Sequence, residues 1–160
     1  MAVSLEKVRF LVVDDNAHAL NIVRTMLRGL GAIHVFDART PAQAMEHLRK
    51  DEIDIVILDY MLGETDGVEF LRRLRSDPKS PAPFVPVIML TAHTEKSRVE
   101  AARDAGVNAF CTKPVTPTEI LRKVSAVVDA PQSFVRSDSY IGPDRRRRDD
   151  NPRGPERRKR

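Results

Sequence analysis

Short apolar runs alternate with amphipathic segments along the first 130 residues. The first amphipathic segment, from about Ala17 to Gly29, places Leu20, Val23, Leu27 and Leu30 on one face, which is the spacing of a helix. Four more helical patterns follow, each after a short run rich in β-branched residues. The runs predict five strands, at Val8–Val13, Ile33–Phe36, Ile53–Leu58, Val85–Leu90 and Ala109–Cys111.

Helix boundaries can be predicted from capping residues. Thr40-Pro41 and Thr116-Pro117 each pair an N-cap threonine with proline at the first helical position. Asp66 is an N-cap candidate for the third helix, since Glu69 follows three residues later. The fourth helix, from about Lys96, is expected to end before Gly106.

Five strand–helix units of this length predict an α/β fold with a parallel sheet covered by helices on both faces. The near-continuous apolar strands agree, because buried parallel strands need not alternate. Right-handed crossovers leave few topologies, and a flavodoxin-like, doubly wound, five-stranded parallel sheet is the expected one.

The pattern ends after Ala130. Residues 131–160 combine four prolines, few apolar side chains and dense charge, a composition that cannot bury enough surface to fold alone. The chain is therefore predicted to contain a domain at 1–130 and a disordered tail at 131–160. Ten of the 27 basic residues and only five of the 23 acids fall within 132–160. The rest of the chain is nearly neutral, so the tail is expected to be an interaction segment.

The remaining composition excludes several classes of protein. The single cysteine, Cys111, rules out an intramolecular disulfide framework. No apolar run reaches the length of a membrane span, and the N-terminus lacks a signal-peptide pattern. These features predict a cytoplasmic protein that does not insert into membranes.

Polar side chains follow four of the five predicted strands. In an open α/β sheet, ligands bind outside the carboxyl ends of the strands. Three carboxylates, a hydroxyl and an ammonium group are therefore expected to converge on one rim: Asp14, Asp15, Asp59, Thr91 and Lys113. Any one of these residues alone would be an ordinary turn or cap residue. All five at successive strand ends are much harder to obtain by chance.

The chemistry of this set is coherent. Clustered aspartates suit Mg²⁺, which prefers oxygen ligands. A carboxylate can also attack a phosphoryl group and form an acyl phosphate. A metal ion and a lysine would then neutralise the charge on the phosphoryl oxygens.

Four segments make the chain resemble the receiver domains of response regulators, the CheY-like family. They are FLVVDDN (10–16), IVILDYMLGETDGVEFL (55–71), VIMLTAH (87–93) and AFCTKPVTPTEIL (109–121). The resemblance covers residues 6–130. It implies that a histidine kinase or phosphotransfer protein supplies the phosphoryl group and that the chain catalyses only its own phosphorylation and dephosphorylation.

The resemblance also implies individual roles. Asp59 would be the phosphoacceptor, with Asp14, Asp15, Asp59 and the Met61 carbonyl arranging Mg²⁺. Lys113 would contact the phosphoryl group. The Lys113–Pro114 bond would be cis. Thr91 and Phe110 would be the switch residues.

The chain departs from the family pattern at one position near the acceptor. Leu62-Gly63 stands where the family usually has Met-Pro, and the glycine is expected to loosen that loop.

Three interpretations of the tail compete. It could be solvated charge that adheres non-specifically to polyanions or anionic membranes. Specific DNA or RNA binding is disfavoured, because the tail has no recognisable reading motif and its acids would repel phosphates. The third interpretation starts from those acids. Gly-Pro-acid-Arg-Arg occurs twice, at 142–146 and 154–158, and Arg-x-x-Asp occurs twice, at 146–149 and 147–150.

Arginine together with aspartate or glutamate matches guanine nucleotides better than bare phosphate. A guanidinium can bond to guanine O6 and N7, and a carboxylate can accept from its N–H edge. Arginine and Tyr140 can stack on purine faces, and further arginines can pair with phosphates. A duplicated half-motif suits a two-fold symmetric ligand such as cyclic di-GMP.

A receiver with this arginine-rich segment resembles the CheY-like cyclic di-GMP effectors, or Cle proteins. The resemblance implies a chain, monomeric when free, that binds cyclic di-GMP, engages the flagellar motor switch, controls motility and surface attachment, and is recruited to the flagellated cell pole. The alternative is a phosphorelay shuttle with a non-specific basic tail. The implied ligand-binding residues are Tyr140, Asp144, Arg145, Arg146, Arg147, Arg148, Asp149, Asp150, Glu156, Arg157 and Arg158.

Overall fold

The computed structural model describes residues 4–92, 96–129, 133–137 and 139–145. Five parallel strands form the main sheet: β1 (Arg9–Val13), β2 (His34–Ala38), β3 (Ile55–Asp59), β6 (Val87–Thr91) and β7 (Ala109–Thr112). Their spatial order is β2-β1-β3-β6-β7. The predicted flavodoxin-like, doubly wound topology is therefore confirmed.

Five helices connect and cover the strands: α1 (Ala17–Gly29), α2 (Pro41–Lys50), α3 (Gly67–Ser76), α4 (Lys96–Ala105) and α5 (Pro117–Asp129). The predicted caps are present. The side chains of Thr40 and Thr116 accept hydrogen bonds from the amides three residues on, at 3.1 Å in both cases. Gly106 ends α4 with φ +100°, a conformation that favours glycine.

Two hydrophobic clusters lie on opposite faces of the sheet, because successive strand residues point to opposite sides. Leu11 and Val13 of β1 pack in the cluster with α2, α3 and α4. Phe10 and Val12 pack in the cluster with α1 and α5. None of the helices in the described ranges is long and apolar enough to span a membrane.

Two small antiparallel hairpins extend the fold beyond the prediction. One follows the third main strand and consists of β4 (Met61–Leu62) and β5 (Thr65–Asp66). The other lies in the segment predicted to be unstructured and consists of β8 (Phe134–Arg136) and β9 (Ile141–Pro143). We call residues 133–137 and 139–145, which contain this second hairpin, the C-terminal hairpin.

The C-terminal hairpin packs on the domain, although it lies within the segment 131–160 that the sequence assigns to the tail. Its apolar side chains are few, but they pack against the surface of the domain. The Phe134 ring lies 5.4 Å from the Phe84 ring, and Arg136 lies over the same ring at 5.4 Å. Composition alone missed this contribution, because the segment folds by using surface that the domain supplies. Residues 146–160 lie outside the described part of the chain.

Candidate functional site

Three aspartates meet at the carboxyl ends of two adjacent strands. Asp14 and Asp15 follow β1, Asp59 ends β3, and these strands pair in parallel. One carboxylate oxygen from each lies within 4.8 Å of the others. Asp14 is 3% exposed and Asp59 is 5% exposed, whereas Asp15 is more open to solvent. The structure thus brings together the three side chains that the sequence singled out.

Backbone groups hold the two buried carboxylates in place. Asp14 Oδ1 accepts a hydrogen bond from the Asn16 amide at 2.9 Å, and Asp59 Oδ2 accepts one from the Met61 amide at 3.2 Å. Burial raises the pKa of Asp14, and the nearby negative charge of Asp59 raises it further. A hard divalent cation among these oxygens would stabilise their ionised form, so the donor set fits Mg²⁺.

Lys113 supplies the positive charge of the site. Its Nζ lies 2.5 Å from Asp59 Oδ1. The Lys113–Pro114 bond is cis, as predicted. The Lys113 amide donates to the Thr91 carbonyl at 2.9 Å, which fixes the lysine beside the end of β6. We call the five residues Asp14, Asp15, Asp59, Thr91 and Lys113 the acceptor rim.

The two predicted switch residues lie on neighbouring strands. Thr91 is the last residue of β6, is 3% exposed and pairs with Thr112. Phe110 is half-buried on β7, pairs with Met89 and packs against the cluster that contains α3 and α4. Thr91 is therefore at the acceptor rim, and Phe110 is three residues before Lys113 on the strand that leads to it.

The loop after Asp59 forms the short β4–β5 hairpin. Gly63 lies at the tip of the β4–β5 hairpin with φ +65°. A Cβ there would lie 3.3 Å from Asp15 Oδ2. Glycine is thus required by a tight turn beside the carboxylates. Met61 begins this hairpin with its side chain 46% exposed.

A glycine that the sequence analysis missed brings α3 close to the acceptor. Gly67 is the first residue of α3, and its amide donates to the Tyr60 carbonyl at 2.7 Å. A Cβ on Gly67 would lie 2.4 Å from the Asp59 carbonyl oxygen and 2.8 Å from that of Tyr60. The only sequence signal was a glycine directly after an N-cap aspartate.

A second organised region lies at the opposite, amino-terminal end of the strands, around Arg75. This side chain is 2% exposed, and burial lowers its pKa to about 10. Its guanidinium donates to the carbonyls of Gly106, Pro83 and Val85 and to the side chain of Asn108, at 2.6–3.1 Å.

The C-terminal hairpin covers this buried guanidinium. The Phe134 ring centre lies 4.8 Å from the Arg75 guanidinium carbon. The hairpin backbone packs directly on Gly106, where a Cβ would lie 2.7 Å from the Ile141 carbonyl oxygen. Nothing in the sequence distinguishes Arg75 from its exposed neighbours Arg72 and Arg73, so no role for it could be predicted.

Three of the predicted ligand-binding residues belong to the hairpin: Tyr140, Asp144 and Arg145. The Arg145 guanidinium carbon lies 4.1 Å from the centre of the Tyr140 ring. One of its nitrogens lies 2.7 Å from Oδ1 of Asp104, near the end of α4. Burial raises the pKa of the Tyr140 hydroxyl, which donates to the Pro143 carbonyl at 2.8 Å. The other predicted ligand-binding residues lie outside the described part of the chain.

Comparison with known proteins agrees with this geometry. The profile of the response regulator receiver domain matches residues 10–125. A chemotaxis protein CheY homolog of Campylobacter jejuni is 32% identical over 121 residues, which are 75% of this chain and 92% of that protein.

Two solved structures share the fold. Vibrio cholerae CheY4 superposes with a TM-score of 0.68 at 26% identity, over 75% of this chain and 98% of that one. The second is the receiver domain of a Pseudomonas aeruginosa sensor histidine kinase, which has a magnesium ion coordinated in its active-site cleft. It superposes with a TM-score of 0.67 at 27% identity, over 76% of this chain and 98% of that one. The chain belongs to the response regulator receiver domain family.

Proposed function

We propose that Asp59 accepts a phosphoryl group from a histidine kinase or phosphotransfer protein. The observation that carries this proposal is the acceptor rim, in which oxygens of Asp14, Asp15 and Asp59 lie within 4.8 Å of one another and Lys113 lies beside Asp59. The three aspartates and the Met61 carbonyl would hold Mg²⁺. The ion would neutralise charge on the transferred phosphoryl group.

The residues of the chain account for the remaining chemistry. A carboxylate oxygen of Asp59 forms a bond to phosphorus as the bond between phosphorus and the donor breaks, which yields an acyl phosphate. Lys113 pairs with Asp59 before transfer and with a phosphoryl oxygen afterwards. The chain acts as a catalyst only on its own phosphorylation and dephosphorylation.

Thr91 and Phe110 are proposed to transmit the modification. The Thr91 hydroxyl would turn toward the phosphoryl group, and Phe110 would repack on β7. Both changes would alter the surface formed by α4, β7 and α5, where a partner would bind.

Labelling with a small phosphodonor tests the acceptor assignment. Asp59→Asn should abolish labelling in the presence of Mg²⁺, because the amide is a poor nucleophile. Asp129→Asn is the matched control, since Asp129 is exposed at the end of α5, and it should label normally. Labelling that persists in Asp59→Asn would reject the assignment.

We further propose that the arginine-rich segment binds cyclic di-GMP and that the bound protein engages the flagellar motor switch. Support comes from the donor and acceptor pairs of the repeated Gly-Pro-acid-Arg-Arg motif and from the aromatic Tyr140 beside Arg145. The Campylobacter jejuni relative is named as a chemotaxis protein, which favours a partner in motility control. In this proposal, binding recruits the protein to the flagellated cell pole.

Calorimetric titration of the full-length chain with cyclic di-GMP tests the ligand. Replacing Arg147 and Arg148 together by alanine should weaken binding much more than replacing Lys159 and Arg160, although both changes remove two positive charges. Equal losses would favour the alternative, a phosphorelay shuttle with a generic basic tail. So would binding of any polyanion with a steep salt dependence and no preference for guanine.

Co-precipitation with a purified motor switch protein tests the partner. Capture should require cyclic di-GMP, and it should fail with the Arg147 and Arg148 double variant. Equal capture with and without the ligand would contradict messenger control of this interaction.

A further inference from the structure

Asp104, a residue of the receiver domain, forms an ion pair with Arg145 of the C-terminal hairpin. The guanidinium of Arg145 lies over the Tyr140 ring at 4.1 Å and pairs with the Asp104 carboxylate at 2.7 Å. A guanidinium therefore lies over an aromatic ring while one of its N–H groups donates to a carboxylate.

The Tyr140 ring is held in place by its surroundings. Tyr140 donates its hydroxyl proton to Pro143 and its amide proton to Ser137 Oγ at 3.1 Å, and its ring lies directly against Gly142. Asp104 lies in the last turn of α4, two residues before Gly106, which is packed under the hairpin. The ring is therefore fixed, and Asp104 stands at a helix end that packs against the hairpin.

Guanine has the same features as the group that this pair now holds. Its Watson–Crick edge presents N1–H and N2–H₂ side by side, as a guanidinium presents two N–H groups, and its faces stack on tyrosine. A guanine base offers the same pair of contacts, one to the Tyr140 ring and one to the Asp104 carboxylate. Adenine cannot do so equally well, because it presents an acceptor beside its amino group.

The surroundings suit the remainder of a nucleotide. A cleft next to Tyr140 is lined by Arg72 and by three serines, Ser76, Ser137 and Ser139. Arg103 lies with Arg145 and Asp104 around an adjoining hollow. Once displaced from Asp104, Arg145 would join these cations as a phosphate ligand.

The internal contact is weak enough to be displaced. The Asp104 side chain is 66% exposed and that of Arg145 is 42% exposed, and ion pairs this open to water contribute little. A ligand that brings two bases and two phosphates offers more contacts than the single guanidinium it removes.

We propose that Tyr140 and Asp104 form a subsite for a guanine base and that Arg145 is its built-in competitor. The inference rests on the proposed binding of cyclic di-GMP and adds a residue of α4 to the binding site. Ligand binding would break a contact between α4 and the hairpin, which connects the messenger site to a helix of the receiver's predicted output surface.

The test compares full-length wild type, Asp104→Asn and Glu100→Gln by calorimetry with cyclic di-GMP and with cyclic di-AMP. Glu100 is exposed one turn earlier on α4 and beside the same hollow, so both variants remove one negative charge. Generic electrostatics predicts that both bind the anionic ligands more tightly. The subsite predicts instead that Asp104→Asn binds cyclic di-GMP about tenfold more weakly and loses preference for guanine over adenine.

The outcomes separate this inference from the proposed function. If wild type binds cyclic di-GMP and Asp104→Asn matches Glu100→Gln in affinity and base preference, the subsite is overturned and messenger binding stands. If wild type does not bind, messenger binding and the subsite both fail.

A second measurement follows the carboxylate directly. During titration of the wild type, the side-chain carboxyl ¹³C resonance of Asp104 should shift as cyclic di-GMP saturates the protein. A resonance that stays in place at saturation would also overturn the subsite.

Discussion

The two ends of the sheet carry opposite kinds of polar site. At the carboxyl end, three aspartates crowd within 4.8 Å beside a single lysine of the described residues, Lys113, so the site favours an added cation. At the amino end, one buried guanidinium is surrounded by carbonyl and amide oxygens. The first arrangement concentrates negative charge that a cation can offset, whereas the second is satisfied by the protein itself.

The carboxyl end is thus suited to a chemical reaction, whereas the amino end stabilises the fold. Charges that repel one another are costly to the fold and persist where chemistry needs them. The five hydrogen bonds that Arg75 makes in the described part of the chain join α3 to the segments that precede β6 and β7. Arg75 also supports the C-terminal hairpin, so the amino end connects the receiver domain to the start of the arginine-rich segment.

The largest effect is expected from Arg75→Met. The methionine can fill part of the volume but leaves the buried carbonyls of Val85 and Gly106 and the part-buried carbonyl of Pro83 without these donors, at a cost of about 1–3 kcal/mol for each buried unsatisfied group. The free energy of unfolding, measured by chemical denaturation, should fall by about 3 kcal/mol or more. Amide exchange at Val135 should accelerate as the hairpin loses its support.

Arg73→Met is the matched control, because Arg73 is exposed on the same helix. Its free energy of unfolding should stay within about 0.5 kcal/mol of the wild-type value. If the two variants were equally stable, the amino end would not hold the hairpin, and the contrast between the two ends would be lost. Phosphodonor labelling of folded Arg75→Met should remain close to that of wild type.

The next largest effect is expected at the carboxyl end from Gly67→Ala. The new Cβ would lie 2.4 Å from the Asp59 carbonyl oxygen. This is a backbone atom, so it can move only if the backbone of Asp59 moves with it. A displacement of about 1 Å at a reacting group can cost about 100-fold in rate, so labelling by a phosphodonor should slow by about that factor.

Gly29→Ala provides the comparison for Gly67→Ala. Gly29 ends α1, and a Cβ there meets nothing within 4 Å. This variant should label at the wild-type rate. If Gly67→Ala does the same, the position of Asp59 does not depend on the close approach of α3.

The acceptor rim was predictable from sequence because its residues stand at the carboxyl ends of strands or directly after them. Once the alternation of apolar runs gave the parallel sheet, the positions of Asp14, Asp59 and Lys113 followed from the chain direction. The caps at Thr40 and Thr116 were equally local signals, and the structure confirms both.

The amino end was not predictable because its contacts depend on distant backbone. Arg75 bonds to groups up to 33 residues away, and nearly all are carbonyls, which every residue possesses. The hairpin was missed for a related reason. Its few apolar residues suffice only because Phe84 and Gly106 supply the packing surface.

The smallest effect is expected from the contact between Asp104 and Arg145, and it sharpens the contrast with Arg75. A double-mutant cycle with Asp104→Ala and Arg145→Ala should give a coupling free energy of unfolding below about 1 kcal/mol, because both side chains are largely open to water. The coupling should shrink further in 1 M salt, where exposed charges are screened. Chemical denaturation at low and high salt measures both quantities. A coupling above about 2 kcal/mol would mean that this pair, and not the buried guanidinium, holds the hairpin on the receiver. It would also make Arg145 too firmly held to yield to an incoming base.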